Sequence, residues 1–281
     1  MKDRSAGRRY LLDGITRFAG LAISAALLLA LLLVLGYVFL GAGVGFNPGM
    51  LISTGNTTSG GLLNAIVGTW LLAGLALAFS AFVGIFVALG LTQYGGSRTS
   101  SLQRVAIDGL AALPSMVLGL FGYLVFVIYL RMGFSLLAGS LTLSLMMLPY
   151  LAKSAETAIS NVPKEFSEAA YALGASRWQV TTRVLLRFAK PLIISGALLA
   201  LSIGAGETAQ LLYTAGWNPG FPTWFVGSQV GYLTYVVWAG INQPSEYSHA
   251  LAFAASAVLI GTILALLAVS KWIENKGAKN A

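Results

Sequence analysis

Glu207 is the acidic residue placed deepest in an apolar stretch of this sequence, within the run from Pro191 to Tyr213. A charged side chain at the centre of a membrane helix costs about 2.5–3.5 kcal/mol on insertion scales, so such residues usually face a cavity or a partner. The hydroxyl of Thr208 and the amide of Gln210 follow it closely. We therefore predict a translocation path lined by Glu207, Thr208 and Gln210, with a packing role for Glu207 as the alternative.

The remaining reactive residues do not form a catalytic set. The sequence has no Cys and a single histidine, His249, which lies beside an apolar run. No G-x-x-x-x-G-K-[ST] motif is present, so the chain should not bind ATP by a P-loop. Asp108 lies near the end of its run, where its carboxylate can reach water. We expect no enzyme active site, no cofactor and no metal site, and the energy for transport must come from a partner.

A second candidate site lies in the charged segment "SEAAYALGASRWQVTTRVLLRFAKP", residues Ser167–Pro191. Together with the residues just before it, this segment predicts two short helices. The first begins at Pro163 and is stopped at Gly174 by a left-handed cap. The second begins with a capping box formed by Ser176 and Gln179. A solvated connector would not need such caps. The small side chains of the alanines in the first helix would also let another protein surface approach closely. We predict a docking surface that includes Glu168, Ala169, Ala170, Ala172 and Gly174.

The second helix of this segment also carries a basic face. Arg183, Arg187 and Lys190 recur at helical spacing. Such a face is suited to the phosphates of membrane lipid.

The elements that must position these sites are membrane helices. The chain is 57% hydrophobic and only 9% charged, whereas a soluble domain carries about 25% charged residues. A span needs about 20 residues. We predict an all-α membrane protein with six transmembrane helices, in the runs Phe18–Gly41, Leu62–Leu91, Leu102–Leu130, Phe134–Leu151, Pro191–Tyr213 and Ala250–Trp272.

The distribution of Lys and Arg predicts the orientation of these spans. Both termini are basic, and positive charge favours the cytoplasmic side, so the number of spans should be even. With six spans only Arg131 lies outside among the 17 Lys and Arg residues. The net charge of +8 is therefore attributed to membrane topology rather than to nucleic-acid binding. The uncharged stretch Trp224–Ile241 is expected to form an external helix on the membrane surface, with a seventh span as the alternative.

These assignments divide the chain into four parts. Residues 1–17 form a cytoplasmic tail, and residues 18–61 hold the first span and an external loop. Residues 62–272 form the permease core, with the charged loop at 152–190. Residues 273–281 form a second cytoplasmic tail.

The charged segment resembles the EAA loop of ABC-importer permeases, with Glu168-Ala169-Ala170 and Gly174 in the family's spacing. The pattern's Pro position holds Arg187, and a proline follows only at Pro191. The stretches "SGGLLNAIVGTWLL", "GLTQYGG", "LPSMVLGLFGY" and "GETAQLLYTAG" are similar to the permease subunits of Pst-type phosphate importers. The tail "LTYVVWAGINQPSEYSHALAFAASAVL" is more similar to the A-type than to the C-type subunit.

This resemblance implies a type I-like ABC importer fold in a bacterial or archaeal cytoplasmic membrane. It implies that Glu168, Ala169, Ala170 and Gly174 couple the permease to a separate ATPase. The implied partners are a second permease, two ATPase subunits and an extracytoplasmic phosphate-binding protein. The family commonly has an Arg four residues before the Gly-Glu-Thr glutamate, where this chain has Ile203. Glu207 is therefore expected to be neutral, or paired with a cation from another helix.

Two other functions remain open at this stage. The chain could serve an importer of another small solute, such as molybdate or sulfate, because cargo selection rests largely on the binding protein. An ion-coupled secondary carrier would need inverted repeats and paired intramembrane charges. The sequence shows no repeat and only one deep charge, which favours the importer.

Overall fold

The computed structural model describes residues 3–45, 47–56 and 58–279. The regular secondary structure of these residues is helical, and no β-strand forms among them. Short π-helical stretches extend three of the helices, at Gly90–Tyr94, Tyr123–Tyr129 and Val180–Leu185. The α-helices of the described residues are α1 (Asp3–Gly45), α2 (Gly49–Ile52), α3 (Leu63–Leu89), α4 (Ser97–Ala112), α5 (Ser115–Gly122), α6 (Leu136–Ser160), α7 (Lys164–Ala172), α8 (Arg177–Gln179), α9 (Leu186–Ala205), α10 (Ala209–Thr214), α11 (Leu233–Ile241) and α12 (Glu246–Lys279).

Five helical segments of this part of the chain are long and apolar enough to cross a membrane, and the number is six if a bent pair of helices counts as one span. The bent pair joins α4 to α5 at an angle of 101°. The run Leu102–Leu130, predicted as one span, is therefore broken at Pro114. Leu113 is extended, because the residue before a proline is pushed out of the helical region, and Pro114 supplies no backbone N–H.

The stretch Trp224–Ile241 contains no candidate span. Only its second half is helical, as α11, and nine residues extend about 13 Å at 1.5 Å per residue. Residues 224–232 are irregular. The predicted surface helix is therefore shorter than expected, and the seventh span is absent from the described residues.

Small residues let the central helices pack closely. A Cβ on Gly84 of α3 would lie 3.3 Å from the backbone nitrogen of Ala152 in α6. A Cβ on Gly196 of α9 would lie 2.3 Å from the Ser154 Cβ, also in α6. In lipid the hydrophobic effect does not drive helices together, so such close contacts carry much of the association. The core of the bundle is thus built around α3, α6 and α9.

The first and last long helices lie at the periphery. The most apolar window of α1 has no buried residue, and this helix reaches α12 through Gly41 and an edge-to-face contact between Tyr37 and Phe253. Helix α12 is joined to α9 by a buried hydrogen bond between the hydroxyls of Ser195 and Ser270, 2.9 Å apart. Most of α1 therefore leaves an apolar surface free for lipid or another subunit.

Candidate translocation and coupling sites

Glu207 lies at a break between two helices. The predicted fifth span over Pro191–Tyr213 is not continuous, since α9 ends at Ala205 and α10 begins at Ala209. Glycines at 204 and 206 have low helix propensity, which favours a break at this place. The hydroxyl of Thr234 in α11 donates a 2.7 Å hydrogen bond to the freed carbonyl of Glu207. Non-helical backbone at membrane depth needs such partners, which are found where it is buried in protein or lines a cavity.

The side chains of Glu207 and Thr208 are half-buried at this break. No ion pair reaches Glu207 within residues 3–45, 47–56 and 58–279. Thr208 accepts the first backbone hydrogen bond of α10 through its carbonyl, from Leu212 at 3.1 Å. Both residues therefore occupy a partly open polar position, as a path would require.

Gln210 lies elsewhere, although the sequence grouped it with Glu207. Its side chain is fully buried, and its Nε2 lies 2.8 Å from the Sδ of Met146 in α6. Its Oε1 has no hydrogen-bond partner among the described residues. A Cβ on Gly119 of α5 would lie 2.9 Å from the Gln210 Cα, so α5 presses against α10 here. Gln210 thus packs in the protein interior next to the break and does not share the half-buried position of Glu207.

The extended segment that leads into α11 is anchored by polar side chains that sequence reasoning missed. Thr69 of α3 accepts a hydrogen bond from the Leu233 backbone nitrogen at 2.9 Å. Asn64, also on α3, donates to the Asn218 carbonyl at 3.1 Å. The available signal was the presence of polar residues in a largely apolar span, because polar groups need partners when they are buried. Together with Thr234 they connect α3, the segment that leads into α11 and the break at Glu207.

The charged loop has the two capped helices that the sequence predicts. Gly174 has φ +79°, the left-handed conformation that glycine adopts readily. Ser176 and Gln179 form the capping box, with hydrogen bonds of 3.3 Å and 2.8 Å. The first helix starts one residue later than expected, because Pro163 is its N-cap.

One side of this loop is exposed and free for a partner. Glu168, Ala169, Ala172 and Gly174 are exposed, as expected. Ala170 is not part of that surface: it is half-buried and packs on an internal cluster that includes Ala155 and Val180. It faces inward because the amphipathic helix α7 must turn one side to the bundle. Sequence reasoning missed Leu173, whose side chain is 90% exposed beside Gly174.

The loop is braced against the ends of two spans. The Arg177 guanidinium lies 4.7 Å from the centroid of the Tyr94 ring, which belongs to the π-helical end of α3. The hydroxyls of Tyr94 and Thr181 lie 3.3 Å apart. Phe166 of α7 stacks on Phe188 of α9, with ring centroids 4.4 Å apart. A force on the loop can therefore reach α3 and α9 directly.

Two ion pairs join α4 to α6 near the end of α6 that leads into the charged loop. The Arg104 guanidinium and the Glu156 carboxylate lie 2.5 Å apart, and the Lys153 Nζ and the Asp108 carboxylate lie 2.6 Å apart. Asp108 reaches the surface as expected, but it does so paired with Lys153. No group of His, Cys, Asp and Glu side chains in the described part of the chain could hold a metal ion.

The comparisons with known proteins agree with this geometry. A family model described as "Binding-protein-dependent transport system inner membrane component" matches residues 80–276. The PstA 2 phosphate transport system permease of Mycobacterium bovis is 40% identical over 230 residues, which cover 82% of this chain and 76% of that one. The PstA permease of Haemophilus influenzae is 34% identical over 208 residues, covering 74% and 73%.

A solved structure of the MetNI methionine ABC transporter in an inward-facing conformation shares the fold. Its TM-score is 0.60 at 16% identity, covering 77% of this chain and 95% of that chain. The chain therefore belongs to the family of binding-protein-dependent transport system inner membrane components. Within it the chain is of the PstA type, and it is a multi-pass membrane protein. The predictions of an all-α fold and of this family are confirmed.

Proposed function

We propose that this chain is the permease subunit of an ATP-driven importer of inorganic phosphate. It would assemble with a second permease, two ATPase subunits and an extracytoplasmic phosphate-binding protein. The observation that carries the proposal is the exposed, doubly capped loop braced on α3 and α9. The relatives named as phosphate transport permeases support the choice of cargo.

Coupling would pass through the surface formed by Glu168, Ala169, Ala172, Leu173 and Gly174. When ATP closes the two ATPase subunits, they would move this surface, and the braces at Tyr94 and Phe188 would carry the movement into the spans. Rigid-body rocking of helices is an established way to alternate access. Ala170 would keep α7 seated on the bundle during that movement.

Phosphate would pass the break between α9 and α10. Glu207 and Thr208 would face the path at the interface with the second permease, and Gln210 would hold the break from within. An ionised Glu207 would repel phosphate, so its part is to keep the polar geometry of the path. The hydroxyl of Thr234 holds this break and links the path to α11.

We further propose that both termini are cytoplasmic and that residues 214–247 face outside. The cytoplasmic parts then include residues 1–17, the loop at 152–190 within the permease core at 62–272, and residues 273–281. The excess of Lys and Arg at these places supports this orientation.

Uptake by proteoliposomes that contain all the proposed subunits tests the function. Radiolabelled phosphate should accumulate only with ATP on the side of the ATPase subunits and with the binding protein on the opposite side. Molybdate and sulfate serve as matched cargo controls and should not accumulate. Uptake without any ATPase subunit would contradict the proposal and favour an ion-coupled carrier.

A further inference from the structure

A basic groove runs between the start of α9 and the end of α12. It has a volume of about 770 Å³. The two helices meet closely at one point, where a Cβ on Gly277 would lie 2.7 Å from the Pro191 Cβ. Both walls belong to candidate membrane spans, Arg177–Ala205 and Glu246–Gly277. The groove therefore opens at the end of the membrane region and not on a separate domain.

The polar lining of this groove is wholly cationic in the described residues. Arg183, Arg187 and Lys190 come from one wall and Lys276 comes from the other. None of the four forms an ion pair within the described part of the chain. The acid nearest in sequence, Glu274, lines a neighbouring cleft instead and pairs there with Lys271 at 3.4 Å. Four cations that converge on one groove without a counter-charge favour an anionic occupant.

The rest of the lining is apolar. The apolar side chains that line the groove include Phe188, Ile194, Trp272 and Ile273. Trp272 is 61% exposed, and the Lys276 Nζ lies 5.0 Å from the centroid of its ring. Tryptophan is enriched at the level of lipid headgroups. A free anion would leave this apolar surface uncovered, whereas a phospholipid would place its phosphate on the cations and an acyl chain along the aromatic wall.

We propose that this groove is a binding site for an anionic phospholipid. Arg183, Arg187, Lys190 and Lys276 hold the headgroup phosphate, and Phe188, Ile194 and Trp272 contact an acyl chain. The lipid would belong to the cytoplasmic leaflet, an assignment that rests on the proposed orientation of the chain. Because Arg183 and Arg187 belong to the charged loop at 152–190, the bound lipid would also hold this loop at the membrane surface.

Tryptophan quenching by a brominated lipid tests the site. The detergent-solubilised full chain is titrated with brominated phosphatidylglycerol or brominated phosphatidylcholine, and the signal of Trp272 is the difference between wild type and Trp272→Phe. Native mass spectrometry of the lipid that copurifies gives a second readout that does not depend on this tryptophan. We expect phosphatidylglycerol to bind preferentially. Arg187→Gln and Lys276→Gln should each weaken the binding of phosphatidylglycerol about fivefold, because one Lys or Arg near an anionic membrane surface contributes about 1 kcal/mol.

Lys271→Gln is the matched control, because it removes a neighbouring lysine that lines another cleft. It should leave lipid binding unchanged. Equal binding of both lipids, or equal weakening by Lys271→Gln, would overturn the proposal. Displacement of the lipid by millimolar inorganic phosphate would also overturn it and assign a free-anion site. If neither lipid bound and only an added ATPase subunit changed the Trp272 signal, the groove would be assigned to a protein contact instead.

Discussion

At the scale of single residues, the carboxylate of Glu207 poses the sharpest question. No ion pair reaches this carboxylate within the described part of the chain. We predict that Glu207→Gln, which keeps the shape and a hydrogen-bond donor of a neutral glutamate, retains phosphate uptake within about threefold of wild type. Glu207→Leu should abolish uptake, because it removes every polar atom of the side chain from the break.

Initial uptake rates in proteoliposomes measure both variants, with immunoblots as the control for equal insertion. Loss of uptake in Glu207→Gln would mean that the charge itself is needed. A cation from the second permease would then be left unpaired, at a cost of about 3–5 kcal/mol. Normal uptake by Glu207→Leu would remove Glu207 from the path altogether.

Leu173 is the residue whose exposure most directly predicts a partner. A leucine that is 90% exposed contributes little to the fold of its own chain. We predict that Leu173→Ser changes the melting temperature of the isolated chain by less than about 2 °C, as surface substitutions usually do. The same change should reduce copurification of the ATPase subunit by about tenfold. Lys164→Ser, at the other end of α7, is the control; equal retention of the ATPase by both variants would contradict this role.

At the scale of elements, Tyr94 ties the end of α3 to the coupling loop. The Tyr94→Phe variant keeps the ring that faces Arg177 and loses only the contact with Thr181. Tyr94→Ala loses both, and a cation–π contact at an exposed site contributes about 0.5–1 kcal/mol. We predict that backbone amides of residues 177–185 exchange with deuterium several-fold faster in Tyr94→Ala, with Tyr94→Phe close to wild type. Equal exchange in all three proteins would show that this brace does not order the loop.

The elements also show how far sequence reasoning reaches. Composition and runs of apolar residues predicted most of the spans, because a lipid environment leaves few alternatives for a chain of this kind. Capping rules predicted the loop at Gly174 and Ser176, since these interactions are local. The hydrogen bond that holds the break at Glu207 and the inward position of Ala170 depend on partners distant in sequence. Thr234, which holds the break, lies 27 residues further along the chain.

At the scale of the whole molecule, the distribution of charge predicts the orientation in the membrane. We predict that alkaline phosphatase fused near Asn242 is active, whereas the same enzyme fused at the C-terminus is inactive. A green fluorescent protein at the same two sites should give the opposite pattern, which controls for expression. If both fusions reported the same side, the region 214–247 would not be external and an additional crossing would be required.

The central claim is that the exposed loop converts ATP hydrolysis elsewhere into movement of this bundle. Gly174 tests it, because its left-handed conformation aims the loop while the space around its Cα is open. A branched side chain would be strained there by about 1–2 kcal/mol without any clash, whereas asparagine tolerates this conformation. Both Gly174→Val and Gly174→Asn add a side chain, but only Gly174→Val should disturb the backbone conformation of the loop. The pair therefore separates the effect of conformation from the effect of side-chain size.

The decisive measurement is ATP-driven phosphate uptake by the reconstituted importer with each Gly174 variant. We predict that Gly174→Val lowers uptake at least tenfold while insertion and helical content stay unchanged, and that Gly174→Asn keeps most of the activity. Uptake at the wild-type rate by Gly174→Val would contradict this claim. It would show that ATP hydrolysis drives transport even when the conformation of the loop is distorted.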